Sequence, residues 1–127
     1  MVVINSLKFN DVTLKFGGIT ALNNVSFEVM PKTLYAIIGP NGAGKTSIFN
    51  CISGIYRPSE GSVTYGEQDI KNLRPDEIAE LGIARTFQNI ELFENMTVLD
   101  NILIGAHRHL NYGPISSIFF TKKTRDI

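Results

Sequence analysis

Gly39-Pro40-Asn41-Gly42-Ala43-Gly44-Lys45-Thr46 follows the apolar run Leu34-Tyr35-Ala36-Ile37-Ile38 and precedes apolar residues at helical spacing, Ile48, Ile52 and Ile55 with Cys51 beside them. The eight residues match G-x-x-x-x-G-K-[ST] in full. Glycines let a backbone curl until several N–H groups face one concavity, which suits phosphate oxygens. A helix that starts there adds its positive end. Lysine at the seventh position places a charge on the outer phosphates, and the hydroxyl after it is a Mg²⁺ ligand. A glycine-rich turn with a solvated lysine is the plain alternative, but a buried strand before the loop and an amphipathic helix after it are the setting the mechanism needs. The segment therefore predicts binding of the phosphates of ATP or a close relative, with Gly39, Asn41, Gly42, Ala43, Gly44, Lys45, Thr46 and Ser47 as the binding set.

Upstream, Leu7 and Phe9, then Val12, Leu14 and Phe16, alternate with polar residues. That is the period of a half-buried strand, with Asn10-Asp11 as a bulge or turn. Gly17-Gly18 breaks the pattern, and Val25, Phe27 and Val29 resume it before a turn at Pro31-Lys32. The two stretches read as antiparallel strands with one wet face. The run 34–38 is unbroken in its hydrophobicity, which predicts a strand buried on both faces, as in a parallel sheet.

Downstream, Gly54 and Pro58 end the helix after the loop. Residues 62–65 between Gly61 and Gly66 read as a short strand, and Pro75 with Asp76 and Glu77 opens a helix carrying Ile78 and Leu81. Residues 83–87 read as another short strand. Thr97 with Asp100 three residues on forms a capping box for a last helix, with Val98, Ile102 and Gly105 as its expected buried face.

The 127 residues are enough for one domain, and 43% hydrophobic with 19% charged content is that of a globular protein. Twelve basic residues balance twelve acidic ones, so no net charge draws the chain to nucleic acid. Cys51 is the only cysteine, which excludes an internal disulfide and points to a reducing compartment. The first residues lack the pattern of a signal peptide. No apolar run approaches the ~20 residues of a spanning helix, so work at a membrane would pass through a spanning partner. His107 and His109 have no carboxylate or cysteine at ligand spacing and read as solvated.

In these residues the chain resembles the N-terminal part of an ABC transporter ATP-binding subunit. The loop from Ile38 to Thr46 reads I-G-P-N-G-A-G-K-T, Gly54, Pro58, Gly61 and Gly66 match the next segment, and Gln88 after Ala84-Arg85-Thr86-Phe87 falls at the Q-loop glutamine. Phe16-Gly17-Gly18, Ser53-Gly54-Ile55-Tyr56, Leu92-Phe93 and Met96-Thr97-Val98 with Asn101 make it most similar to the branched-chain amino-acid import ATPases. The resemblance implies that Phe16 stacks on adenine, a use to which any aromatic face is suited. It implies catalytic roles for Lys45 and Gln88, and Mg²⁺ contacts for Thr46 and Gln88. It also implies ATP and Mg²⁺ as ligands, transmembrane permease subunits and a second ATP-binding subunit as partners, and a place on the cytoplasmic face of a prokaryotic membrane.

The expected fold is α/β: a P-loop NTPase core with a mostly parallel, incomplete sheet, an antiparallel β subdomain and the start of a helical subdomain. The expected parts are antiparallel strands in 1–33, the phosphate-loop core and Q-loop in 34–96, and the helical start in 97–127. No L-S-G-G-Q signature, no apolar strand ending in Asp-Glu and no switch histidine follow in this sequence. Hydrolysis in such proteins needs a metal-holding aspartate and a water-positioning residue, so nucleotide binding without efficient hydrolysis is expected of this chain. The strands that would flank 34–38 are also expected to be absent, leaving an open apolar face there, with Ile115, Ile118, Phe119 and Phe120 as a further apolar cluster. The alternatives are a non-catalytic nucleotide-binding or self-associating module, and an ABC ATPase without a transport role. A kinase or GTPase leaves the positions of Phe16 and Gln88 without a reason.

Overall fold

The structure is a computed structural model that describes residues 5–87 and 92–105. The chain divides into two compact units, Met1–Thr86 and Phe87–Ile127. Gln88, both histidines and the 115–120 cluster lie outside the described residues.

The first unit is built on β1 (Leu7–Phe16) and β2 (Ile19–Val29), an antiparallel hairpin joined at Gly17-Gly18. Phe9 and Val12 are three residues apart, so strict alternation would put them on opposite faces. One extra residue in β1 restores the phase: the register runs Phe9↔Phe27 and then Val12↔Val25, with Asp11 at φ 49. The Asp11 amide donates to Ser26 Oγ at 2.8 Å, which holds the bulge closed. After α1 (Lys45–Ile52), β3 (Glu60–Tyr65) pairs antiparallel with β1, and β4 (Gln68–Asp69) returns across the Gly66 turn. The sheet order is β2-β1-β3-β4.

Phe9, Val12, Leu14 and Leu22 of the hairpin, Val63 of β3, Ile70, and Ile48 and Cys51 of α1 form the core. Ile78 of α2 (Pro75–Glu80) closes it. The start of α2 is as the sequence indicates: Pro75 occupies its first turn, and the Arg74 amide donates to Glu77 Oε2 at 2.7 Å. Cys51 is a packed hydrophobe, and its burial pushes the thiol from 9.0 up to about 11. At Gly61 (φ +79) a Cβ would lie 2.4 Å from the carbonyl oxygens of both Asn10 and Asp11, so β3 can pass the bulge only as glycine.

The run 34–38 departs from its expected form. It is not a paired strand, and Leu34 and Ile38 are 100% and 92% exposed. Only one side is covered: Ile37 packs against the core, and Tyr35 stacks on Phe27 at 5.5 Å, extending a column begun by Phe9 on Phe27 at 4.6 Å. A strand is a pairing, and among the described residues none pairs with this run. Residues 83–87 likewise take no strand in the four-stranded sheet, so the parallel core sheet is not formed among the described residues. Ile55 lies past the end of α1 and is 47% exposed, leaving Ile48 and Cys51 as the buried face of that helix.

In the second unit, α3 (Val98–Gly105) begins as predicted. Thr97 Oγ1 accepts from the Asp100 amide at 3.2 Å, and Asp100 Oδ2 accepts from the Thr97 amide at 3.2 Å. The Asn101 side chain donates to the carbonyls of Phe93 and Thr97 and accepts from the Phe93 amide, fastening the preceding turn to the helix. The expected buried face is open: Val98 and Ile102 are 78% and 62% exposed.

Gly61→Ala should lower stability by at least about 1–2 kcal/mol, the cost of a left-handed non-glycine residue before any clash is counted. Gly18→Ala, with nothing within 4 Å of its added carbon, should stay within about 0.5 kcal/mol of the parent in urea unfolding. Equal midpoints for the two variants would contradict the close approach at the bulge. Unfolding returns the Cys51 thiol from about 11 to 9.0. The stabilisation from burying it is therefore complete below pH 9.0 and declines as pH rises towards 11. That decline should appear in the difference between the parent and Cys51→Ala unfolding curves, and its absence would mean the thiol is accessible in the folded chain.

Candidate functional site

The phosphate loop is held by contact with the hairpin. A Cβ on Gly44 would lie 2.7 Å from the Ala21 carbonyl oxygen and 2.9 Å from Leu22 Cδ2, and Gly44 sits at φ +86. Both constraints select glycine, the first by space and the second by backbone conformation. Gly42 also takes a left-handed conformation, at φ +82. Within the loop, the Ala43 amide donates to the Pro40 carbonyl at 3.3 Å.

α1 starts directly from this loop. The Ile48 amide donates to the Gly44 carbonyl at 3.0 Å, and no side chain caps the helix. By helix geometry the amides of Lys45, Thr46 and Ser47 precede the first helical bond and are directed out of the N-terminus. An uncapped terminus with two left-handed glycines, Gly42 and Gly44, before it is a ready concavity for an anion. The Lys45 ammonium donates to the carbonyls of Gly39 and Pro40, each at 2.6 Å. It is folded back over the loop, within reach of the space the loop encloses.

That space is an open cleft of about 380 Å³. Asn41, Gly42, Gly44, Lys45, Thr46 and Ser47 form one wall, and Ile19, Thr20 and Ala21 of β2 form the other. Gly39 and Ala43 belong to the loop without lining the cleft. The β2 wall escaped the sequence reading, although its residues directly follow the Phe16-Gly17-Gly18 stretch. Their placement depends on the contact at Gly44, which has no signature in local sequence.

Phe16 does not line the cleft. It ends β1, paired with Ile19, and is 44% exposed, with its ring edge-to-face against Tyr56 at 4.8 Å between centroids. Gln88 lies outside the described residues, so the structure places Lys45 and Thr46 together without it. Just ahead of it, Arg85 donates to Asn50 Oδ1 at 2.5 Å and Ser53 Oγ at 3.3 Å and lies over the Phe49 ring at 5.9 Å. One face of α1 is thereby tied to Arg85, a structural role that sequence alone did not separate from a partner-facing one. Among the described residues no three histidine, cysteine, aspartate or glutamate side chains converge as a metal site. No helix among them is long and apolar enough to cross a membrane.

The ABC transporter family profile matches residues 22–126. The chain is 41% identical over 119 residues to the high-affinity branched-chain amino acid transport ATP-binding protein LivG of Escherichia coli K12, covering 94% of this chain and 47% of that protein. It is 42% identical over 119 residues to BraF, the protein of the same description from Pseudomonas aeruginosa, with the same coverage. Among solved structures it is similar to the ADP conformation of MJ1267, an ATP-binding cassette of an ABC transporter, at a TM-score of 0.74 and 37% identity, over 94% of this chain and 47% of that one. The chain thus spans about half the length of the curated relatives it matches. A profile match over most of the chain and a cassette-like fold around the phosphate loop together show that the chain belongs to the ABC transporter family.

Proposed function

We propose that the chain binds the triphosphate of ATP in the cleft between the phosphate loop and β2, as the ATP-binding part of the motor subunit of an ABC importer for branched-chain amino acids. The observation that carries this is the pair of left-handed glycines opening onto the uncapped start of α1, with Lys45, Thr46 and Ser47 at the cleft wall. On phosphate binding, the Lys45 ammonium exchanges the Gly39 and Pro40 carbonyls for phosphate oxygens, a stronger charge-assisted contact. Amides of the loop and first helical turn orient the phosphates, and the adenine base lies beyond the cleft against the exposed ring of Phe16. The Thr46 hydroxyl is the group at the cleft suited to a Mg²⁺ ion, with Gln88 as a second contact; the ion supplies charge neutralisation across the outer phosphates.

The relatives named for branched-chain amino acid transport support the importer assignment. In it, residues 1–33 supply antiparallel strands, 34–96 the phosphate-loop core and Q-loop, and 97–127 the start of the helical subdomain. Its partners are a second ATP-binding subunit and transmembrane permeases on the cytoplasmic face of a prokaryotic membrane. An apolar groove of about 510 Å³ lined by Leu92, Phe93, Met96, Val98 and Ile102 is a surface of the kind a partner protein covers. A second reading is nucleotide binding without hydrolysis by this chain alone. The observation favouring it is that, among the described residues, no carboxylate or histidine lines the cleft to position an attacking water.

Calorimetric titration with Mg-ATP, with phosphate release followed on the same sample, tests both readings. Binding without release is expected, and release by the isolated chain would overturn the second reading. Lys45→Ala should weaken binding by roughly 1.5–3 kcal/mol, the range for a hydrogen bond to a charged group, with the far-UV circular dichroism unchanged. Retained affinity would remove the phosphate loop from the site. Gly44→Ala should also lose affinity, because its Cβ forces the loop away from Ala21; full affinity in that variant would mean the cleft does not need its β2 wall.

A further inference from the structure

We propose that Tyr56 is a positioning residue for the nucleotide base: it holds the Phe16 ring in one orientation and ties that ring to the same helix that carries the phosphate-binding residues. The proposal rests on the reading above that Phe16 stacks on adenine.

Phe16 sits where little else can orient it. It is the last residue of β1, and the chain after it turns through Gly17, at φ +54, and Gly18. Neither glycine has a side chain, and nothing lies within 4 Å of where a Cβ would stand on either. With 44% exposure, the ring's aromatic neighbour is Tyr56, at 4.8 Å between centroids and 72° between planes. An edge-to-face contact of this kind engages at most one face of the Phe16 ring and leaves the other for an incoming base.

Tyr56 is itself firmly placed. It is half-buried and packs against the core. Its amide and that of Ile55 both donate to the Asn50 carbonyl, at 3.0 and 2.9 Å, which fastens it to the last turns of α1. Lys45 and Thr46 begin that helix. Loop and ring are therefore referred to one rigid element: the phosphates bind at its start, and the base platform is braced from its end. A ring already ordered loses less conformational freedom when a base stacks on it, and that saving appears as affinity.

The test compares two probes, Mg-ATP and inorganic tripolyphosphate, by calorimetry on the full chain and on Tyr56→Ala, Tyr56→Phe and Phe16→Ala. Tyr56→Ala should weaken ATP binding roughly two- to tenfold, the span of an aromatic pair, and leave tripolyphosphate binding unchanged; Tyr56→Phe keeps the edge-to-face contact and should restore ATP affinity. Phe16→Ala should weaken ATP by at least about fivefold, also without effect on tripolyphosphate. If Phe16→Ala shows this loss but Tyr56→Ala binds ATP like the parent, the positioning role is overturned while base stacking stands. If Tyr56→Ala loses both probes equally, Tyr56 supports the fold and not the base, and the proposal is overturned. If Phe16→Ala binds ATP like the parent, base stacking on Phe16 falls, and the proposal falls with it.

Discussion

The close approach of Gly44 to the Ala21 carbonyl and the Leu22 side chain is the constraint on which the site depends. It allows no side chain on the loop, because a Cβ would sit 2.7 Å from a carbonyl oxygen. Through it, the hairpin becomes the second wall of the cleft, and α1 starts at a set distance from β2. A phosphate loop without that contact would still carry its glycines and its lysine. It would have no opposing surface, and each amide would be free to solvate itself. The close approach converts a flexible glycine-rich stretch into a fixed array of donors, and preorganised donors bind an anion without a reorganisation penalty at the moment of binding.

α1 is the second organising element, although it is only eight residues long. An isolated helix of that length would not persist in water. It is held by Ile48 and Cys51 in the core and by the Arg85 guanidinium across Phe49, Asn50 and Ser53. Its Asn50 carbonyl accepts from the amides of both Ile55 and Tyr56. Arginine suits this position because its planar fork can serve two acceptors while its face lies on a ring; a lysine ammonium offers no such plane. The helix thus connects the phosphate loop at one end with Arg85 and the Phe16 platform at the other.

The apolar surface that remains open has a pattern. Leu34 and Ile38 point away from the core while Tyr35 and Ile37 point towards it, so the run is covered on one side only, and among the described residues no strand pairs with it. Exposed apolar side chains on a run that no strand covers invite pairing with another strand. α3 shows the same imbalance, with a well-made cap and an uncovered apolar side. Capping is satisfied by residues three apart in sequence. Coverage needs a second surface, and none of the described residues of its unit supplies it.

The division between sequence and tertiary structure follows from the range of each interaction. The hairpin, its bulge, the phosphate loop, the helix starts at Pro75 and Thr97 and the glycine turns were legible in the sequence, because each depends on residues within a few positions of one another. The three-residue spacing of Phe9 and Val12 already demanded an extra residue in β1, and the spacing of Thr97 and Asp100 already defined a cap. The strand assigned to 34–38 could not be settled this way, since hydrophobicity reports what a segment would bury and not whether a partner is there to bury it. The β2 wall of the cleft, the clasp of Arg85 on α1 and the bracing of Phe16 by Tyr56 were decided only in three dimensions. They join residues 22 to 40 positions apart, and no local period or propensity encodes which distant side chains a packed core will bring within 5 Å of each other.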